Sequence, residues 1–150
     1  LRLAYLVAPL ALVDRLVVAK SIVDRFTPPL LQGVLAEFID EGHFARHLRR
    51  MRELYAVRRA ALLEALAAET GDALTVLGAE AGLDIAAWLR EGVDDVALVQ
   101  RLASEGVSAM ALSRYGFAGR GRPGLVLGFA GYTPTKLRAA AKVLGRLLRA

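Results

Sequence analysis

The chain has 150 residues, which is enough for one domain with a hydrophobic core of its own. It carries 20 Lys and Arg against 15 Asp and Glu, and the resulting net charge of +5 favours a polyanionic partner only modestly. Because the chain contains no cysteine, disulfides, a thiol nucleophile and thiolate metal ligands are excluded, and the reducing cytoplasm is the expected location.

The first predicted element is a buried strand over residues 1–8, a short run rich in apolar residues that is ended by Pro9. The apolar run begins at Leu1 without an initiator Met, which we interpret as a fragment or a processed chain. The longest uncharged run, residues 3–13, is well below the roughly 20 residues that a membrane-spanning helix requires. No membrane segment is therefore predicted.

Helices are predicted next along the chain. Apolar residues at helical spacing predict the first over residues 10–26. The Thr-Pro-Pro sequence at residues 27–29 ends it, because the residue before a proline avoids helical backbone angles, and a second helix follows through Asp40. A long amphipathic helix is predicted from Gly42 to about Glu69. Its apolar stripe consists of Phe44, Leu48, Met51, Tyr55, Leu62 and Leu66, and its polar face of His43, Arg46, Arg49, Arg50 and Glu53.

After residues 70–72 the pattern changes to short runs typical of strands, namely LTVLGA, LDIAAWL, VSAMAL and LVLGFA. A helix is predicted between the second and third runs, at about residues 94–105, with Asp94 or Asp95 as its N-cap. The last helix is predicted to begin at Pro134, after the N-cap Thr133, and to run to the C-terminus. This order predicts an α+β fold in which a sheet of three or four strands is covered by helices on one face.

The densest group of ionisable side chains lies on the long helix. His43 and His47 are four residues apart and could face one metal ion, but no glutamate directly follows His43 and no third ligand has suitable spacing. No metal site is therefore predicted. The arginines could contact phosphates, but Glu53 lies among them and no turn precedes the helix as in groove-reading modules. A solvated face is the favoured interpretation, and a small basic helical module that binds nucleic acid is the alternative.

The sequence YGFAGRGRPG at residues 115–124 is glycine-rich and basic. Its glycine spacing fits neither a P-loop nor a dinucleotide-binding fingerprint, which favours a loop between two strands. Ser113, Tyr115 and Trp88 could line a pocket, although single residues of these types more often serve packing. No Ser-His-Asp set can be assembled from the spacing, so no catalytic residue is predicted.

Several stretches, taken together, resemble a known family in their order and spacing. They are LRLAYLVAP, RFTPPLLQGVLAEFIDEGHFARHLRRMRELYAVRRAALLEAL, GLDIAAWL, GVSAMALSRY and GLVLGFAGYTPTKL, and they cover nearly the whole chain. These stretches resemble the C-terminal part of MocR-type transcriptional regulators of the GntR family. In such regulators a winged-helix DNA-binding domain is fused to a domain similar to class I, fold-type I aminotransferases, which bind pyridoxal 5'-phosphate (PLP).

The resemblance implies how the chain is organised. Residues 1–41 would be the end of the cofactor-binding large domain with its connecting helices. Residues 42–150 would be the C-terminal small domain of the aminotransferase fold, beginning with the long helix. DNA would be bound by a separate N-terminal domain, so the arginines of the long helix would lie on a solvated or interdomain surface. The resemblance also implies a homodimer.

The resemblance further implies roles for single residues. Arg2 matches the arginine that contacts the cofactor phosphate in fold-type I enzymes, a role that suits a bidentate guanidinium. Thr27 matches a segment that approaches the partner's site in dimers, and Tyr115 is the second candidate for lining the site. Val126 stands where many aminotransferases carry an arginine that binds the substrate carboxylate, so the usual salt bridge is not expected. Asp84 stands where relatives often have histidine.

The lysine to which PLP attaches lies, in the family, a few residues before the stretch that resembles LRLAYLVAP. Lys20, Lys136 and Lys142 do not match it, so the chain alone is not expected to be an enzyme. The predicted function is that of the C-terminal fragment of a PLP-binding, effector-sensing domain, in which PLP and an amino compound control a DNA-binding domain. The alternatives are a fragment of a genuine class I aminotransferase and the nucleic-acid-binding module named above.

Overall fold

The computed structural model describes residues 3–23, 25–78, 82–116 and 121–149. Contacts within the chain divide it into two compact units, Leu1–Arg50 and Met51–Ala150. The division falls inside a long helix, α3, which spans His43–Thr70. Each unit is described by itself below.

The first unit contains α1, which spans Leu10–Val23, α2, which spans Pro29–Asp40, and the beginning of α3. All of these helices were predicted. However, α1 ends before the predicted residue Phe26, because Arg25 has a φ of 55°, a left-handed conformation through which a helix does not continue. Between α2 and α3, Gly42 has a φ of 75° and donates its N–H to the Ile39 carbonyl, which ends α2.

The strand predicted for residues 1–8 is wrong in the part of this segment that the structure describes. Residues 3–9 have no regular secondary structure, and Tyr5 and Val7 are 90% and 85% exposed. A strand needs a neighbouring strand to satisfy its backbone N–H and C=O groups, and no described residue pairs with this segment. Leu1 and Arg2 lie outside the described residues.

The second unit contains a four-stranded antiparallel sheet with the strand order β1-β2-β4-β3. The strands are Leu74–Val76 (β1), Asp84–Leu89 (β2), Met110–Ala111 (β3) and Gly124–Gly128 (β4). The predicted sheet of three or four strands is therefore confirmed. Each strand lies within or next to one of the four predicted apolar runs.

Helices cover one face of this sheet. They are the second half of α3, α4 (Asp95–Ser104) and α5 (Pro134–Arg149). Because successive residues of a strand point to opposite faces, one residue in two enters the core. Full burial of each large aliphatic side chain stabilises the fold by about 1.5–3 kcal/mol. The core residues are Leu62, Leu66, Leu74, Ile85, Ala87, Leu89, Leu98, Leu102, Leu125, Leu127, Phe129, Leu137, Ala141 and Leu144.

The starts of α4 and α5 have the predicted caps. The Asp94 carboxylate accepts hydrogen bonds from the N–H groups of Val96 and Ala97 at 2.9 and 3.0 Å, so Asp94 and not Asp95 caps α4. At α5 the Thr133 hydroxyl accepts from the Lys136 N–H at 3.4 Å. Local sequence signals therefore predicted both helix starts.

The two faces of α3 differ as predicted in its second half, where Leu62 and Leu66 are buried. At the other end of the helix, Phe44 and Leu48 of the predicted apolar stripe remain 40% and 37% exposed. The predicted polar face, which consists of His43, Arg46, Arg49, Arg50 and Glu53, is exposed.

Candidate functional site

The sheet face opposite the core, which we call the open face, is the candidate site. Alternation along the strands places Asp84, Ala86 and Trp88 of β2 and Val126 of β4 on it. Val126 lies directly opposite Ala86 on one side and opposite Met110 of β3 on the other. None of these side chains is buried. The centre of the open face is therefore an apolar surface that a ligand or another segment could contact.

The two ends of the open face carry opposite charges. At one end, Asp84 is exposed and its Oδ1 lies so close to Gly128 that an added Cβ there would be 3.1 Å away. At the other end, the Arg122 guanidinium lies 5.1 Å from the centroid of the Trp88 ring, a cation-π contact. Gly124 is paired with Trp88, and a Cβ at Gly124 would lie 2.5 Å from the Ala87 carbonyl oxygen. Glycine is thus required for β4 to approach β2 beneath this contact.

Asp95 ties α4 to two segments that border the open face. It is 3% exposed. Its carboxylate accepts hydrogen bonds from the Ser113 N–H at 2.9 Å, the Ser113 hydroxyl at 2.7 Å and the Gly124 N–H at 3.0 Å. Hydrogen bonds to an ionised carboxylate are stronger than neutral ones. Asp95 therefore holds the short turn after β3 and the start of β4 in register with α4.

Comparison with known proteins finds transcriptional regulators that are similar to this chain. It is 36% identical over 138 residues to the probable rhizopine catabolism regulatory protein MocR of Rhizobium meliloti, covering 92% of this chain and 28% of that protein. It is 27% identical over 144 residues to the uncharacterized HTH-type transcriptional regulator YhdI of Bacillus subtilis, covering 96% of this chain and 31% of that protein. The chain spans less than a third of the length of these relatives. No family model matches it.

Solved structures with the same fold include aminotransferases. The multiple substrate aminotransferase of Thermococcus profundus has a TM-score of 0.87 and 22% identity, covering 95% of this chain and 35% of that chain. LysN, the alpha-aminoadipate aminotransferase of Thermus thermophilus, has a TM-score of 0.84 and 28% identity. The match covers 95% of this chain and 36% of LysN. The chain matches the C-terminal, aminotransferase-like part of MocR-type regulators. The predicted family and fold class are confirmed.

Of the residues predicted to form the site, Tyr115 borders the open face. It is 67% exposed, and its hydroxyl contacts the Met110 sulfur at 3.4 Å. Thr27 lies in the other unit, between α1 and α2, where its carbonyl accepts a hydrogen bond from the Gln32 side-chain amide at 3.1 Å. Arg2 lies outside the described residues. The site roles assigned to Arg2, Thr27 and Tyr115 therefore remain predictions.

One of the two histidines, His43, makes local contacts. The His43 Nε2 lies 3.0 Å from the Glu41 carboxylate, and its ring stacks on Phe38 with the centroids 5.6 Å apart. Within the described residues no three His, Asp or Glu side chains form a group that could hold a metal ion. The described helices also include none that is long and apolar enough to cross a membrane.

Sequence reasoning missed the role of Asp95. The pair Asp94-Asp95 signals a helix start, but only one carboxylate is needed for the cap, so the second was free for another role. The partners of Asp95 lie 18 and 29 residues further along the chain. No local signal predicts them, because they are brought close only when β3 and β4 pair. The contact of Arg122 with Trp88 was missed for the same reason.

The stability of the second unit is expected to fall at acidic pH because the Asp95 carboxylate becomes protonated. Burial raises the pKa of the Asp95 carboxyl, but the hydrogen bonds from Ser113 and Gly124 outweigh burial and lower the pKa below its ordinary value. A lowered folded-state pKa contributes stability at neutral pH, and this contribution is lost as the pH falls through the folded-state pKa. Urea unfolding below about pH 4 should therefore show a steeper loss of stability for wild type than for Asp95→Asn, which has no carboxyl to titrate there. Parallel pH profiles of the two proteins would contradict this expectation.

Proposed function

We propose that this chain is the C-terminal part of the effector-sensing domain of a MocR-type transcriptional regulator. The observation that carries the proposal is its 36% identity, over 92% of its length, to the Rhizobium meliloti regulator. In the whole protein, a homodimer in the cytoplasm, PLP and an amino-compound effector would shift the equilibrium between two arrangements of the DNA-binding domains. A ligand shifts such an equilibrium only if it binds the two arrangements with different affinity.

The proposal assigns residues 1–41 to the end of the cofactor-binding large domain and its connecting helices, and residues 42–150 to the small domain. The composition of α1 supports this assignment. No side chain of α1 is buried in this chain, although many of them are apolar. Leu10, Ile22 and Val23, for example, are 80% or more exposed. A helix with so much apolar surface is normally buried against another part of a protein. A large domain would supply that part.

The proposal assigns the phosphate of PLP to the Arg2 guanidinium, whose paired N–H groups suit phosphate oxygens. Bound PLP supplies an aldehyde that reacts reversibly with amines. The effector would lie over the open face, with Tyr115 at its border and Thr27 contributed from the partner subunit. The residues at the centre of that face, Ala86 and Val126, offer apolar contact and no positive charge.

The apolar centre of the open face limits the class of effector that can bind there. A carboxylate placed at Val126 would lose its hydration without gaining a cation, which is unfavourable. The effector is therefore an amino compound that does not depend on a carboxylate salt bridge at this position. Asp84, exposed at one end of the open face, offers acceptor oxygens for an ammonium or hydroxyl group.

The test is a titration of PLP, followed by its absorbance, into two proteins. They are this chain and the full-length product of its gene, and each is treated with borohydride and its mass measured. We expect a reducible adduct with the full-length protein only, because no lysine of this chain matches the position to which PLP attaches. If the full-length protein forms no adduct, the PLP-dependent mechanism is wrong, even though the family assignment stands.

The similarity to LysN, at 28% identity, favours a genuine aminotransferase as the second candidate function. The two candidates differ in what the full-length protein does. A regulator binds DNA and changes that binding when PLP and an amine are added. An aminotransferase moves an amino group from an amino acid to a 2-oxo acid at a rate typical of enzymes, about 1 per second or more.

A further inference from the structure

A cavity of about 410 Å3, which we call the α4-α5 cavity, lies among the helices of the second unit and opens to solvent on one side. The residues that line it include the core leucines Leu62, Leu102, Leu127 and Leu144. The wall formed by α5 contains the small residues Ala139 and Ala140, which leave the space unfilled. A concave, mostly apolar space of this size is typical of small-molecule sites.

The rim of the α4-α5 cavity is polar and carries an excess of positive charge. Glu105 lies on the rim, but its carboxylate is 3.0 Å from the Arg146 guanidinium and is thereby neutralised. Lys136 also lies on the rim, and no ion pair or hydrogen bond of its ammonium group occurs within the described residues. The hydroxyl-bearing residues Ser108 and Tyr132 complete the polar part of the rim.

The apolar walls and the Lys136 ammonium group on the rim together indicate the chemical class of the ligand. An apolar tail gains from leaving water for the leucine-lined cavity, while an anionic head group can stay partly hydrated beside Lys136. We propose that the α4-α5 cavity binds an apolar carboxylate, with its tail among the leucines and its carboxylate at the Lys136 ammonium. The side chains that the proposal uses, those of the leucines and Lys136, do not lie on the open face, so the proposal does not rest on the function proposed above.

The test uses octanoate and its uncharged counterpart octanol, each titrated below its micelle concentration into the 150-residue chain with labelled leucine methyl groups. Saturable chemical-shift changes are expected at Leu102 and Leu144. Octanoate should bind several-fold more tightly than octanol, because only the carboxylate interacts with Lys136. Absence of saturable changes, equal affinity for the two probes, or changes restricted to the exposed apolar helix α1 would each overturn the proposal.

Variants separate the two parts of the proposed site. Lys136→Gln should weaken octanoate binding by about threefold to tenfold and leave octanol binding unchanged, as expected for loss of one partly exposed ion pair. Lys142→Gln is the matched control, because Lys142 lies on the same helix, is exposed and does not line the cavity. Ala140→Phe should fill the cavity and abolish binding of both probes. Equal octanoate affinity of wild type and Lys136→Gln would contradict the role of Lys136.

Discussion

Replacing Asp95 by alanine is expected to lower the free energy of unfolding by about 3 kcal/mol, the larger of the two effects predicted here. The substitution removes the acceptor of three hydrogen bonds and leaves the N–H groups of Ser113 and Gly124 without it. An unsatisfied buried donor costs about 1–3 kcal/mol. Urea unfolding measures the total loss in the free energy of unfolding. Hydrogen exchange at the Ser113 and Gly124 amides measures how far the local hydrogen bonds are weakened.

Asp94, the residue before Asp95, provides a matched control for the loss of one negative charge. Asp95→Asn and Asp94→Asn each remove one negative charge from the start of α4. Asparagine is as good an N-cap as aspartate, so Asp94→Asn should change stability by less than about 0.5 kcal/mol. Asp95→Asn directs an amide group toward N–H donors and should cost about 1–3 kcal/mol. Equal effects of the two variants would show that Asp95 contributes only its charge to the helix start.

Replacing Gly145 by alanine is expected to lower the free energy of unfolding by about 2 kcal/mol, against the usual effect of this change in a helix. Alanine in place of a helical glycine normally stabilises by about 0.5–1 kcal/mol. Here the added Cβ would lie 2.3 Å from the Glu69 carbonyl oxygen and 2.9 Å from its carbon, both backbone atoms that cannot rotate away. The ends of α3 and α5 would have to separate, which would weaken the hydrogen bond from the Arg149 guanidinium to the same carbonyl, now 2.6 Å long.

Gly33 is the control for this prediction, because it lies in α2 and an added Cβ there would meet nothing within 4 Å. Gly33→Ala should therefore stabilise its helix by about 0.5–1 kcal/mol. Thermal unfolding and amide exchange within each helix measure the two effects separately. A higher melting temperature for Gly145→Ala than for wild type would mean that α3 and α5 are less closely packed than described.

Much of the secondary structure was predictable because its signals are local. The apolar period of α3, the prolines before α2 and the Asp94 and Thr133 caps each act within one or two helical turns. The strand predicted for residues 1–8 shows where such reasoning stops. Its apolar composition suits a strand, but a strand also requires a partner, and the described residues contain none for it.

The sequence by itself determined the family, the order of the helices and strands from α1 onward, and the apolar character of the position at Val126. These follow from periodicity, capping residues and the resemblance of motifs in order. Only the tertiary structure decided that Ala86, Met110 and Val126 lie side by side, that Asp95 joins α4 to Ser113 and Gly124, and that the Gly145 position has no room for a methyl group. The physical reason is that each of these contacts joins residues distant in sequence, which become neighbours when the strands pair and the helices pack on the sheet.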